Sequence, residues 1–348
     1  MISFIITISI YFFIDLILVL SANLQLGLMG MANLGFVLFL GIGAYAATIF
    51  SIGPEPANSL QQYFFGVALP FPLPIILAII CGMIGGLLVG LVSLYRMRGH
   101  YLAIITLAIL TICSTLVEGY PKFLGGSNGL TGIVQPLSSL TNSYNGYQLI
   151  FLALSAVLCL VVFVFCQRFI HSPLGRMAKA VRENESAVTT LGINPFRVRL
   201  LATVCGGGMA ALSGALLAEY VTAWGIAPWS FTEIFPATAA MIIGGRGNNW
   251  GVALGTFMTY VVVGQGLPFL PGVSSNPELG YAIQWIIFGV ALVAFLWFRP
   301  SGLLPEQKGR WKHAPEFVPA EMTSAFDLPA ASTIAEQIAD EGAHVHDQ

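Results

Sequence analysis

Apolar residues form long runs along most of the chain, and short polar stretches separate these runs. A helix crosses the roughly 30 Å hydrocarbon layer of a bilayer in about 20 residues, so runs of this length predict membrane-spanning helices. The candidate spans are residues 2–22, 24–50, 73–94, 101–120, 148–167, 200–223, 233–246, 250–270 and 281–298. The pattern therefore predicts an all-α fold, a polytopic transmembrane helix bundle of about eight or nine spans.

Two of these runs are irregular. Residues 24–50 are too long for one ordinary crossing and contain five glycines, and residues 233–246 are short and end in Gly244-Gly245. Either run is expected to be a broken or re-entrant helix. Such a backbone is tolerated at membrane depth only where protein or a wet cavity covers it.

The longest polar loop on the basic side of the chain is residues 168–199. Ser172 is a candidate N-cap with Pro173 at the first helical position, and Gly192 suits the left-handed position after a last turn. An apolar stripe and several charges predict one or two short amphipathic helices. Such a segment either lies on the inner leaflet or docks into a cytoplasmic partner.

Composition supports a membrane protein. Hydrophobic residues make up 56% of the chain and charged residues only 9%, whereas a soluble domain is about 25% charged. The net charge of -2 gives no support for nucleic-acid binding. The five cysteines show neither a CxxC nor a Cys/His spacing, so neither a zinc site nor a disulfide framework is expected.

The basic residues set the expected orientation, because cytoplasmic loops carry an excess of Lys and Arg. With a cytoplasmic C-terminus, 13 of the 14 basic residues lie inside and only Lys122 lies outside. Residues 307–348 are expected to form a cytoplasmic acidic tail that is largely disordered, since residues 315–348 hold seven acids and no Lys or Arg. Residues 1–306 are then the transmembrane domain.

Several short motifs occur in a fixed order along the chain. They are residues 41–45, 98–107, 125–132, 176–192, 196–202, 243–251 and 300–306. Together they resemble the M-type permease of branched-chain (hydrophobic) amino acid ABC importers, over about residues 25–306. The resemblance implies a multi-pass protein of the bacterial inner membrane. It also implies two ATP-binding subunits, a homologous second permease and a periplasmic substrate-binding protein as partners.

The chain contains no G-K-S or G-K-T sequence and so no phosphate-cradling P-loop. We therefore expect a transport subunit that is not itself an enzyme, with no catalytic residue, no metal and no cofactor of its own. ATP and magnesium would be bound by the partner ATPases. Residues 176–192 resemble the coupling loop of these permeases, and we call residues 172–192 the coupling segment. The resemblance implies that the residues coupling the permease to those ATPases are Arg176, Lys179, Arg182, Glu183, Glu185 and Gly192.

Five residues are candidates for a substrate path. Asp15 lies inside a predicted span, where an ionisable group is costly; it either serves a path or subunit contact, or is a protonated or hydrogen-bonded Asp that faces another helix. Ser127 and Asn128 lie in a Gly-rich outer loop that either admits a partner or is an ordinary turn. Gly244 and Gly245 either break a helix near the path or allow close helix packing.

The expected function is the passage of branched-chain or related amino acids across the inner membrane, driven by ATP hydrolysis on partner subunits. One alternative is a permease of the same family for amides or urea. Another is a stand-alone secondary transporter. Such a transporter needs intramembrane charges for ion coupling, and Asp15 is the one acid well inside a predicted span. A membrane-embedded enzyme is a third alternative, but the sequence shows no paired His, Asp or Ser residues of the kind that its chemistry requires.

Overall fold

Long apolar helices dominate the computed structural model, which describes residues 2–54, 63, 66–94, 100–138, 143–230, 233–266, 277–299 and 301–306. Five stretches in these ranges are long and apolar enough to cross a membrane: Ile2–Leu28, Leu73–Ser93, Tyr101–Gly119, Asn145–His171 and Pro195–Val221. Three shorter apolar helices are Phe36–Ser51, Ile234–Gly244 and Ala282–Phe298. The predicted all-α membrane bundle is confirmed.

The helices of the described ranges follow in chain order. They are α1 (Ile2–Ala22), α2 (Phe36–Ser51), α3 (Leu73–Leu94), α4 (His100–Gly119), α5 (Pro121–Leu124), α6 (Tyr144–His171), α7 (Pro173–Glu183), α8 (Glu185–Thr190), α9 (Pro195–Val221), α10 (Ile234–Gly244), α11 (Asn249–Thr256) and α12 (Pro277–Phe298). Two residues each form β1 (Leu130–Thr131) and β2 (Ala223–Trp224), which pair antiparallel. This pair joins the loop before α6 to the end of α9.

Helix α9 forms the centre of the bundle and packs against α1, α2 and α3. Its contacts with α2 and α3 are made through small residues, as is usual where membrane helices approach closely. A Cβ on Gly207 would lie 2.6 Å from the carbonyl oxygen of Gly82 on α3, and a Cβ on Gly43 of α2 would overlap the backbone of Ala211. These contacts bring three helix backbones together without intervening side chains.

The first irregular run, residues 24–50, is broken, as expected, whereas residues 233–246 form one short uninterrupted helix, α10. Helix α1 continues into a π-helical segment, Asn23–Leu28, and a non-helical stretch then separates it from α2. Treating residues 24–50 as a single span was therefore wrong, because the chain turns at Gly30, whose φ is +63°. Helix α10 ends at Gly244, and α11 continues into a second π-helical segment, Phe257–Gln265. Segments of this kind are rare and occur often at functional sites.

All the described elements belong to one unit, residues 1–306. The predicted acidic tail, residues 307–348, lies outside the described residues, as do residues 55–62, 64–65 and 271–276 between the predicted spans.

Candidate functional site: the coupling segment and its seat

The coupling segment folds as two short helices, α7 and α8, each with a clear start. The Ser172 hydroxyl accepts a hydrogen bond from the Gly175 N–H at 3.2 Å, and Pro173 takes the first helical position. The Asn184 side chain caps α8 by accepting from the Ala187 N–H at 3.0 Å. Gly192 has a φ of +79°. The predicted N-cap and left-handed glycine are therefore confirmed.

One face of the coupling segment packs against the rest of the protein. Ala178, Val181 and Val188 are buried. Gly175 lies so close to the Phe169 and Ile170 carbonyl groups at the end of α6 that it has no room for a Cβ. The inner face is thus a packed contact with the helix bundle.

The opposite face of the coupling segment is open. Arg176, Glu183 and Gly192 are exposed there, and Leu191 leaves 77% of its surface uncovered. This outer face combines both signs of charge with an apolar side chain, which suits a protein partner better than water alone.

The remaining charges of the coupling segment point inward. Lys179 Nζ lies 2.7 Å from Glu306 Oε1, and Arg182 Nη2 lies 2.8 Å from Glu306 Oε2. Arg199 of α9 lies 3.1 Å from Glu185. Three of the six predicted coupling residues, namely Lys179, Arg182 and Glu185, therefore bind the chain's own residues. Three others, Arg176, Glu183 and Gly192, lie on the exposed face.

Glu306 is held in its ionised form. Burial alone would raise the pKa of this carboxyl, but the hydrogen bonds and positive charges of Lys179 and Arg182 outweigh burial and lower the pKa below its ordinary value. The carboxylate is therefore a fixed negative charge at neutral pH, and it forms ion pairs with two cations of α7.

A network of hydrogen-bonded polar side chains lies beside the ion pairs of Glu306 with Lys179 and Arg182. Asn23 of the first π-helical segment accepts a hydrogen bond from the Gly247 N–H at 2.9 Å and donates one to Asn249 Oδ1 at 3.1 Å. Asn249 in turn donates to Gln167 of α6 at 3.1 Å. These bonds join the end of α1, the break between α10 and α11, and the end of α6.

Residues 301–306 close this end of the bundle. The backbone N–H groups of Leu303 and Leu304 donate to the carbonyl groups of Ile243 and Gly244, at 2.8 and 3.0 Å. They satisfy two of the carbonyl groups that the end of α10 leaves without intrahelical partners. We call residues 301–306 the strap. The strap, the coupling segment and residues 245–248 meet at one end of the bundle, which we call the basic end.

The five predicted path residues do not form one site. Gly244 and Gly245 lie at the basic end, where their backbones contact Gly251 and the strap. Ser127 and Asn128 are exposed in a 3-10 turn, Gly126–Asn128, next to β1 and β2. That turn lies at the far end of α9, a helix of 27 residues and so about 40 Å long.

Asp15 lies between these ends on α1 and is half-buried. Its carboxyl group interacts electrostatically with that of Glu233, at the start of α10. The described residues form no hydrogen bond or ion pair with Asp15, so the hydrogen-bonded alternative finds no support there.

An apolar cavity of about 540 Å³ opens at the end of the bundle that carries the β1–β2 pair. Leu38 and Ile42 of α2 face Leu116 and Val117 of α4 across it, and Trp229 forms part of the wall. The Trp229 ring packs on Tyr45, with the ring centroids 5.4 Å apart. Among the described residues that line the cavity, Lys122 alone is charged.

Sequence reasoning missed Asn23, Gly27, Arg199 and Glu306 as residues of the basic end. Glu306 could have been found, because it closes the motif at residues 300–306 that carried part of the family resemblance. Arg199 lies in the motif at residues 196–202 and Gly27 is one of the five glycines of residues 24–50, but neither pattern indicates a partner. Asn23 gave no signal, since a polar residue at the end of an apolar run is usual where a helix leaves the membrane.

An apolar bundle with a broken helix, a capped segment outside the spans and a polar seat beneath that segment are the features of a multi-pass membrane protein. A family model described as "Branched-chain amino acid transport system / permease component" matches residues 4–294. The chain belongs to this family of ABC transporter permeases, which are not themselves enzymes.

Individual relatives agree with this assignment. The "Probable branched-chain amino acid transport permease protein LivM" of Methanocaldococcus jannaschii is 27% identical over 86% of this chain and 93% of its own length. The "High-affinity branched-chain amino acid transport system permease protein LivM" of Escherichia coli K12 is 29% identical over 86% of this chain and 69% of its own. The LivH permease of Salmonella typhimurium matches only 43% of this chain, at 29% identity. The chain is therefore of the M type, and no solved structure matches it.

Proposed function

We propose that this chain is the M-type permease subunit of an ATP-driven importer for branched-chain amino acids. Family membership and the substrate named for the LivM relatives support this proposal. The observation that carries the mechanism is the two-faced coupling segment. Its inner face is packed and ion-paired with the bundle, while its outer face is exposed.

In this proposal two ATPase subunits dock on the outer face, around Arg176, Glu183 and Leu191. The chain has no P-loop, so the energy of ATP hydrolysis enters through this contact. Leu191 would fill an apolar pocket of the ATPase, and the two charges would set the register of docking. The basic end is then cytoplasmic, which agrees with the distribution of Lys and Arg along the chain.

The remaining subunits follow from the same reasoning. A second, homologous permease of the LivH kind completes the membrane pair, as the coexistence of LivM and LivH relatives suggests. A periplasmic binding protein delivers the amino acid to the opposite end. There, the apolar cavity beside Trp229 suits a branched aliphatic side chain, and Lys122 suits the substrate's carboxylate.

The docking step is tested with Leu191→Ala in the complete reconstituted complex. Truncating a central apolar contact typically costs about 1–3 kcal/mol, so we expect the affinity of the permease for its ATPases to fall roughly 5- to 150-fold, together with uptake. Leu160→Ala is the matched control, because Leu160 is a similarly exposed leucine on α6. Unchanged ATPase affinity in Leu191→Ala, or an equal loss in both variants, would refute docking on this face.

A further inference from the structure

Arg182 joins three parts of the basic end with one guanidinium group. Its Nη1 donates to the Gly27 carbonyl oxygen at 2.8 Å, and its Nη2 donates to Glu306 at 2.8 Å. Gly27 belongs to the π-helical segment that ends the first helix, whose last carbonyl groups have no partners within the helix. A cation is favourable there because the helix macrodipole is negative at its C-terminus. The coupling segment therefore caps the first helix.

The chain is shaped to admit this side chain. Gly30 follows the π-helical segment with a φ of +63°, and a Cβ at this position would lie 2.6 Å from Arg182 Cγ. Glycine is required at this position for both its left-handed backbone and its small size. The turn after the first helix is thus built around the stem of Arg182.

Glu306 is fixed in a comparable way. A Cβ on Gly247 would lie 2.9 Å from Glu306 Oε2, and Gly247 has a φ of +78°. Gly247 also donates its N–H to Asn23. The break between α10 and α11 therefore contacts both the carboxylate that holds Arg182 and the helix end that Arg182 caps.

We propose that Arg182 and Glu306 form a mechanical link that carries displacement of the coupling segment to the π-helical end of the first helix and to the break at residues 245–248. Arg182 is a positioning residue that touches no substrate. This inference rests on the proposed function, since it concerns what a docked ATPase would move.

The contacts of Arg182 and Glu306 have the properties that are needed to transmit a displacement of the coupling segment. Both hydrogen bonds of Arg182 are charge-assisted or made to a helix end, and the side chains of Arg182 and Glu306 are only 27% and 18% exposed. A shift of α7 would therefore either pull the helix end with it or break two partly buried bonds. The π-helical segment is the natural place to deform, because its bonding departs from the regular α-helical pattern.

The test measures amino acid transported per ATP hydrolysed, using the complete complex in proteoliposomes. Arg182→Gln should lower this coupling ratio about tenfold or more while the ATPases still co-purify, because the outer face is untouched. Arg182→Lys should restore the ratio only in part, since an ammonium group cannot hold both acceptors in the planar geometry of the fork. Arg168→Gln, an exposed arginine at the end of α6, is the control and should be unchanged.

A second measurement separates a link from simple loss of stability. Arg182→Gln combined with Glu306→Gln should lower the coupling ratio no further than the stronger single variant, because both remove the same link. Wild-type coupling ratios in Arg182→Gln, or losses that multiply in the double variant, would overturn the inference. Failure of the wild-type chain to co-purify with any ATPase would instead refute the proposed function.

Discussion

Gly192 tests the coupling segment, because the effect of its backbone conformation can be separated from the effect of its surroundings. The residue ends α8 with a φ of +79°, and a Cβ there would meet no atom within 4 Å. Any effect of a small side chain at this position therefore comes from the backbone and not from a clash within the chain. Gly192→Asn, Gly192→Ala and Gly192→Val form a series of increasing strain.

The expected magnitudes follow from the cost of the left-handed conformation. For an L-residue with a Cβ this cost is roughly 1–2 kcal/mol, which corresponds to about a 5- to 30-fold change in the population of the native turn. Asparagine is expected to cost less, because its side chain bonds locally in this conformation, and valine more, because it is β-branched. The turn positions Leu191 on the outer face, so ATPase affinity should fall in the order Gly, Asn, Ala, Val.

The assay is the dissociation constant between the permease in nanodiscs and the purified ATPases, with expression level as a check on insertion. Gly119→Ala and Gly119→Val are matched controls, because Gly119 also has open space around a Cβ but no positive φ. Equal affinities across the Gly192 series, or equal losses in the Gly119 series, would refute the reasoning.

Three further predictions concern orientation, packing and pH. Ser186→Cys should resist an impermeant thiol reagent in intact cells while Ser127→Cys reacts, and the reverse would invert the topology. Gly43→Val should abolish folding because its Cβ overlaps the α9 backbone, whereas Gly289→Val, with no atom within 4 Å, should fold; equal expression of both would contradict the packing. Lys179 and Arg182 lower the pKa of Glu306 below its ordinary value of 4.5. The stability that these ion pairs contribute is therefore complete above pH 4.5 and is lost as the pH falls through the lowered pKa. The melting-temperature difference between wild type and Glu306→Gln should therefore shrink below about pH 4.5, and a constant difference would contradict this.

Helix positions could be predicted from the sequence because hydropathy reports directly on the length of a span. The predicted limits of the first span, 2–22, are those of α1, and those of the third, 73–94, are those of α3. The break inside residues 24–50 could be suspected from its glycines, but its position could not. It depends on Arg182 of a distant helix, which contacts Gly27 and Gly30.

The candidate site was predictable only in its local part. The N-cap of α7 and the left-handed Gly192 follow from neighbouring residues and could be inferred directly. The separation of the charges into two faces could not, because Lys179 and Arg182 turn inward toward Glu306, more than 120 residues along the chain. Pairing between residues so far apart in the sequence cannot be predicted from a local sequence pattern.

Uptake of radiolabelled leucine by proteoliposomes that contain the complete complex is the most direct test of the proposed ATP-driven import. With the binding protein on the substrate side and ATP on the side of the coupling segment, we expect saturable uptake that stops when ATP is replaced by ADP and that resists a protonophore. Uptake that persists without ATP and collapses with the protonophore would contradict the account and favour a secondary transporter.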